Sequence, residues 1–419
     1  VPAVSANADL YSWIGSSGGQ WGFSANWRDL TSGANPASFI PGALTPVTIA
    51  GPAGLTYEVI AGGGVSASLA LSGNIALAGA YSTGALAVGT RTAVGAGSSS
   101  VSYVYAAGAL VVATSLSAGA VNLASGSLGL AGAGATLAAS GTITVGAQSV
   151  LSSGAPSSYD PGAAGAISVA AGTGLTAAGA MAIRQGAVSV SGAGANVAVA
   201  GAVSLGAAGV PFVLGAPYSF DAAGVVTVAN GGVFATAGAL SESVGAVSVD
   251  GAGSRLSVQT ILTLGLAANG AASLSVTRGG TVQAGAMVIQ APATGNAGPD
   301  ATAPPALVVD ALGSIEIGSG VAAAGTLTIE AGRSVAATAD AAITAAIVDN
   351  GILSAAGGNL TLTGNLSGTG ALQIGRNATV TMNGSIAAAG SVVFTDTAAA
   401  LSIGTNAATG TPYAIGAAI

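Results

Sequence analysis

Few residues of this 419-residue chain could do chemistry. Asp310 and Glu330 stand twenty positions apart, and Glu330 and Asp349 nineteen. In a fold that returns on itself about every 20 residues, that spacing sets them in one column, where stacked carboxylates form a weak site for a hard cation. Solvated surface carboxylates are the plainer reading, since only Arg333 stands near to balance them. The calcium-binding Gly-Gly-x-Gly-x-Asp nonapeptide is missing, because Gly62-Gly63-Gly64 runs on into Val65-Ser66 without the aspartate. Cation binding is therefore optional, and no cofactor is called for.

Aromatic residues supply the second chemistry. All three tryptophans, Trp13, Trp21 and Trp27, stand at the amino end, followed by Phe39 and by Pro36, Pro41 and Pro46; Tyr413 stands near the other end. Atypical terminal units are expected of repeat arrays, so these five aromatic residues suggest a cap. The sharper alternative is a carbohydrate-stacking platform or a docking surface between subunits.

Acid–base and nucleophilic catalysis find little support. The chain has no His and no Cys, seven basic residues against fourteen acidic ones, and a net charge of −7. The basic residues are all arginines: Arg28, Arg91, Arg184, Arg255, Arg278, Arg333 and Arg376. The usual general base, zinc ligands, thiol nucleophiles and disulfides are thereby excluded, as is a basic nucleic-acid footprint. Glycoside hydrolysis needs two carboxyls within about 5–10 Å, whereas the acidic residues are thinly spread. The chain is expected not to be an enzyme.

A mean hydropathy of +0.74 raises the question of a membrane, but no apolar run reaches the length of a span. An outer-membrane barrel needs aromatic girdles, and only 4% of the residues are aromatic. The opening Val1-Pro2-Ala3, without Met, is what a processed, exported product would show.

The elements that position these residues follow from repetition. Gly132-Ala133-Gly134 leads to Gly141, Ile143, Val145 and Gly146; sixty positions on, Gly192-Ala193-Gly194 leads to Gly201, Val203, Leu205 and Gly206. A third copy begins at Gly251, and Gly186-Ala187-Val188-Ser189-Val190 recurs as Gly245-Ala246-Val247-Ser248-Val249. Two-residue alternation broken by glycine pairs such as Gly231-Gly232 and Gly279-Gly280 indicates short strands between tight turns. The expected fold is all-β, a parallel β-helix (β-solenoid) of about 20 coils of about 20 residues, three to each long repeat. Right-handed coils are the commoner choice. Residues 1–50 form the Trp- and Pro-rich cap or docking segment, and residues 51–419 the continuous solenoid, with loops inserted near 154–164 and 291–305. Asn74, Asn122, Asn359, Asn365 and Asn377 are expected to cap turns or stack as amide ladders. Glycine-spaced segments such as Gly132-Ala133-Gly134 serve as coil corners rather than dinucleotide loops.

The run Trp13, Trp21, Asn26-Trp27, Pro36, then Val47-Thr48-Ile49 and Ser66–Leu77, resembles the β-helical passenger region of secreted alphaproteobacterial adhesins, both autotransporter-like proteins and those of acetic-acid-type bacteria with a Hint autoprocessing domain. The late run Gly358–Gly375 is similar to the same family, and the resemblance covers nearly the whole chain. It implies an exported, surface-associated structural or adhesive role and brings no catalytic residues. The expected function is a secreted or cell-surface structural protein, a subunit of a matrix filament built by head-to-tail stacking of solenoids. The chain's partners are then further copies of itself and extracellular polysaccharide or the cell surface. The alternative is a monomeric rod-like adhesin, distinguished by an aromatic or Asn-rich patch along one side.

Overall fold

The structure, a computed structural model, describes residues 9–51, 56–94, 100–152, 157–210, 218–265, 272–290, 307–309, 314–317, 325–388 and 390–403. Among them are β-strands, most of them short but one of them, Gly64–Ala78, fifteen residues long, and one 3-10 turn, Ser24–Asn26. None of their helices is long and apolar enough to cross a membrane. The chain divides into two compact units: Val1–Ser189 with Gly194–Ala200 and Gly209–Phe220, and Val190–Ala193 with Gly201–Ala208 and Asp221–Ile419.

Each unit is a parallel β-solenoid. A coil gives one strand to a first face, turns a glycine corner, and gives one or two strands to a second, bent face. In the first unit Gly126–Leu130 lies on the first face, with Thr136–Ala139 and Ile143–Val145 on the second; the next coil repeats this as Gly165–Val169, Gly174–Ala177 and Met181–Ile183. Apart from a register shift between Val258 and Ile261, where the second face bulges, parallel pairing sets like on like. One column of the first unit reads Val47, Leu69, Leu86, Val121, Ile143, Met181. A column of the second reads Val226, Val247, Leu274, Leu307, Val335, Leu353, Leu372, Val392. These side chains are buried, and each contributes about 1.5–3 kcal/mol relative to an exposed position. Such ladders need aliphatic residues and almost no charge, which accounts for the composition.

The corners use the expected glycines. Asn230-Gly231 and Arg278-Gly279 have φ of 54° and 83°, and 51° and 82°, the left-handed pair of a type I′ turn. Where the chain returns to the first face, Gly186 has φ +129°, and a Cβ there would lie 1.9 Å from the Gly165 carbonyl oxygen of the coil below. Asn365 bridges coils as an amide cap, its Oδ1 accepting from the Ser385 N–H at 3.1 Å and the Ser385 hydroxyl at 2.9 Å. Asn377 takes φ 56° in a turn.

Coil length corrects one expectation. Thr56 pairs with Asn74 and Gly108 with Gly126, steps of eighteen positions, while Gly224 pairs with Gly245, a step of twenty-one. Gly126, however, pairs with Gly165, so that a single coil takes thirty-nine positions before the next, from Gly165 to Gly186, takes twenty-one. The long repeat is therefore two coils, one carrying a lateral excursion, and not three coils of about 20 residues. Equal division is the simplest arithmetic; the excursion breaks it.

The amino end of the first unit is closed. Tyr11–Trp13 pairs in parallel with Pro46–Ala50 and antiparallel with Trp27–Asp29. The outer edge of Trp27–Asp29 is occupied in turn, since the Trp27 carbonyl accepts from the Ala37 N–H at 2.7 Å and the Asp29 N–H donates to the Ala34 carbonyl at 3.0 Å. Covering an edge strand in this way blocks pairing with another chain.

Candidate functional site

The excursions mark the site because the solenoid does not need them. In the first unit the chain passes from the second face back to the first with two residues at Ala124-Ser125 and at Arg184-Gln185; the second unit does the same at Ser243-Val244. The intervening returns use residues 89–107, 146–164 and 206–223. A corner that closes with two residues gains nothing in closure from nineteen.

In the first unit these excursions build a second, smaller sheet. Its strand order is Tyr218–Ser219, Val150–Ser152, Ser157–Asp160, Ser100–Ala106, Thr90–Val94. Thr90–Val94 and Ser100–Ala106 form one antiparallel hairpin, Val150–Ser152 and Ser157–Asp160 the next, and Tyr218–Ser219 belongs to the third. The alternation of long and short coils has a geometric reason. A hairpin is two strands wide, about 9.6 Å, which is the rise of two coils at ~4.8 Å each. Hairpins leaving every second coil can therefore pair edge to edge, and hairpins leaving every coil would collide.

The two faces of this lateral sheet differ. One carries its charge: Arg91 pairs with Asp160 (Nη2–Oδ2 2.6 Å) and stacks over the Tyr103 ring at 3.6 Å, while the Tyr105 hydroxyl donates to Asp160 Oδ1 at 2.8 Å. The Gly162 N–H also donates to Oδ1, at 2.9 Å. Burial, with the hydrogen bond to Asp160 second, pushes the Tyr105 hydroxyl up to about 12. This cluster ties the first hairpin to the second. On the other face Tyr218, Leu151, Tyr159 and Ser102 stand in one cross-strand row. Phe220 follows Tyr218 on the same side with rings 4.7 Å apart, edge to face. Leu151, Tyr159, Phe220 and Val104 are exposed large apolar side chains, and among the described strand residues of this face none is charged.

The sequence-predicted residues fall elsewhere. Trp13, Trp21 and Trp27 are brought together and buried: Trp27 meets Trp13 at 4.8 Å and Trp21 at 4.5 Å, and Trp21 meets Tyr81 at 4.8 Å. The Trp27 indole N–H donates to the Trp21 carbonyl at 2.8 Å. These rings face one another, not solvent, so they are no stacking platform as they stand. Phe39 is 74% exposed, and Tyr413 lies outside the described residues. Asp349 is level with Ile329 in the pairing of the two coils, one position out of step with Glu330. Successive strand residues point to opposite faces, so the nineteen-position spacing separates Glu330 and Asp349 instead of stacking them. Asp349 is buried, its Oδ1 accepts from the Gly351 N–H at 2.9 Å, and burial raises its pKa to about 6. Asp310 and the segment 291–305 lie outside the described residues. Among the described residues no group of three or more acidic, His or Cys side chains could hold a metal.

The expected insertion at 154–164 corresponds to the middle hairpin, which begins earlier, at the 146–164 return. Its neighbours at 89–107 and 206–223 are not foreseen from the repeats. A signal for them exists all the same: Tyr103, Tyr105, Tyr159 and Tyr218 are four of only eight tyrosines. No protein-family model, no curated protein and no solved structure matches the chain.

Proposed function

We propose that the protein is a non-enzymatic, extracellular structural protein: a β-solenoid scaffold that holds out an adhesive lateral sheet, as a rod-like adhesin does. The observation that carries this reading is the hairpins placed at corners that the solenoid elsewhere closes with two residues. Segments that a fold does not require and that project from one side of a repeat array are where binding is built. The shifted acidic groups support it, being engaged in structure: Asp29 caps the turn at Thr31 and Ser32, and Asp250 holds Arg278 and Thr277. The resemblance of the Trp-rich opening to secreted passengers supports export. The test replaces residues 146–164 with Ala-Ser, copying the corner at 124–125, and measures retention under flow on polysaccharide-coated, cell-envelope-coated and bare hydrophobic surfaces. Loss of retention in a folded variant is expected; undiminished retention on all three surfaces overturns the reading.

A second reading, a filament subunit assembled head to tail with other copies, is favoured by a separate observation. Leu10, Ile14, Phe23, Leu30, Phe39, Ile40 and Leu44 are all exposed within the amino-terminal segment, and exposed apolar surface of this kind marks association sites. Since the edge of Trp27–Asp29 is covered, such stacking runs through side chains and not through a continued backbone ladder. Sedimentation and electron microscopy of the protein and of a Phe39→Ser, Leu44→Ser variant decide it: fibres lost in the variant support the filament, and monomers at high concentration dismiss it.

A further inference from the structure

We propose that the outward face of the lateral sheet is a stacking platform for a neutral polysaccharide chain, an inference that rests on the adhesive reading above and names its ligand class. Geometry, chemistry, charge and size converge on that occupant. Tyr218, Leu151 and Tyr159 occupy three adjacent strands in one row, so the two tyrosines stand about 9.6 Å apart with an aliphatic side chain between them. That is a straight, narrow, repeating track, suited to a linear polymer with flat apolar faces at regular intervals, which the C–H faces of successive sugar rings provide. Hydroxyls accompany the rings, from Tyr159 and from the exposed Ser102; each can donate or accept, as a ligand covered in hydroxyls requires.

Charge narrows the class further. The sheet's ionised residues, Arg91 and Asp160, are paired with each other on the opposite face, and the chain as a whole carries −7. An acidic polysaccharide or a nucleic acid finds no cation among the described residues of the track and a repelling field around it, whereas a neutral chain meets neither obstacle. Size argues against a second copy of the protein. Five strands at ~4.8 Å and about three residues at ~3.3 Å give a face on the order of 250 Å², against about 800 Å² per partner for a standard protein interface. A single polymer chain needs no more than this strip.

The experiment measures binding of cellohexaose and chitohexaose, with hexagalacturonate as the acidic counterpart, by calorimetry on the full chain. Binding of a neutral hexasaccharide is expected to weaken at least about tenfold in the Tyr159→Ala, Tyr218→Ala double variant and to hold within about twofold in Tyr159→Trp, which keeps a ring in place. The conservative variant guards against loss of folding as the explanation. Hexagalacturonate is expected to bind at least about tenfold more weakly than the neutral chains. The proposal is overturned if neither neutral hexasaccharide binds, if binding survives the double variant, if the acidic oligomer binds equally well, or if the double variant abolishes self-association instead. Loss of surface retention on excising 146–164 without any neutral oligosaccharide binding leaves the adhesive scaffold standing and removes only this ligand.

Discussion

Two returns in the first unit start from the same place and end at the same place. Ile183 leads through Arg184-Gln185 to Gly186, and Val145 leads through residues 146–164 to Gly165. Ile183 and Val145 are paired directly, one above the other, and both are fully buried. The bare return shows what the solenoid requires: an aliphatic residue turned inward, two linking residues, and a glycine against the backbone of the coil below. Everything the long return adds to that set belongs to the lateral sheet. The solenoid and the lateral sheet thus draw on different residues of one repeat.

The bare return is where the fold is most easily broken. Gly186→Ala places a methyl 1.9 Å from the Gly165 carbonyl oxygen at φ +129°, and the coil spacing, fixed by parallel pairing on both faces, leaves no room for it. A loss on the order of 3–5 kcal/mol is expected, measured as a shift of the denaturant midpoint. The same change at Gly129, whose added Cβ meets nothing within 4 Å, is expected to be nearly neutral. Equal effects at the two glycines would dismiss close stacking as the reason for the glycine column.

The second unit repeats the bare return with one anomaly. Glu242 precedes Ser243-Val244-Gly245 and points inward between Leu205 and Leu264, where Ile183 and Leu123 stand in the first unit's bare returns. It is fully buried; Oε1 accepts from the Ser273 N–H at 3.1 Å, while Oε2 has no partner. Burial raises its pKa from 4.5 to about 8, against the opposing effect of the Ser273 bond. The unfolded chain therefore releases this proton near pH 4.5 and the folded chain only near 8. Stability is full below pH 4.5, falls as pH rises toward 8 by up to about 1.4 kcal/mol per unit, and is level above. Asp349 adds the same trend between 3.8 and about 6. Asp29 and Asp250 act oppositely, their hydrogen bonds to Ser32 and Arg278 holding them below the usual carboxylate range, so their contribution is lost only on stronger acidification. The protein is expected to be most stable near about pH 4, below the usual optimum of about 5–8. Glu242→Gln, compared with the unchanged protein at about pH 4 and about pH 8, should flatten the decline; an unchanged slope would show that the carboxyl is not protonated in the fold.

On the long return, Asp160 is the joint between hairpins. Asp160→Asn keeps an oxygen for the Tyr105 hydroxyl and the Gly162 N–H but removes the charge facing Arg91. With Arg91 44% exposed, solvent screens much of the pair, and about 1–2 kcal/mol of local stability is at stake. Amide exchange should quicken in Ser100–Ala106 and Ser157–Asp160 and stay unchanged in Gly126–Leu130. Faster exchange in the coil as well would mean that the two parts are not independent.

The solenoid was legible in the sequence because its signal is local and repeated: alternating Val and Leu, corner glycines, and a period that keeps every landmark. The lateral sheet was not, because its pairing joins residues as distant as Ser100 and Ser157 or Leu151 and Tyr218, and short Ser- and Tyr-containing strands have no period of their own. The long repeat divides arithmetically into three equal coils, and only the pairing of Gly126 with Gly165 shows that it holds two unequal ones. Glu242 was legible in principle, since Ile183 stands three residues before Gly186 as Glu242 does before Gly245. A carboxylate at an aliphatic place in a repeat is the kind of exception that points to an unusual environment. Glu330 and Asp349 part on a single residue of spacing, which in a strand is enough to change faces.

The smallest effect on the fold is expected from the largest deletion. Replacing 146–164 with Ala-Ser removes the middle of the lateral sheet, yet leaves the Val145–Ile183 pairing and the Gly126–Gly165 stack untouched. What disappears is the attachment of one hairpin to the next, above all the Asp160 cluster. The chain also no longer has to close a long loop, which returns roughly 1–2 kcal/mol of entropy. The two terms nearly cancel, so the stability of the solenoid, read from its denaturant midpoint, is expected to stay within about 1 kcal/mol of the unchanged protein. Loss of the solenoid itself on excision would show that the hairpins brace the coils, and the division between a bare return that builds the fold and a long return that builds the surface would fall with it.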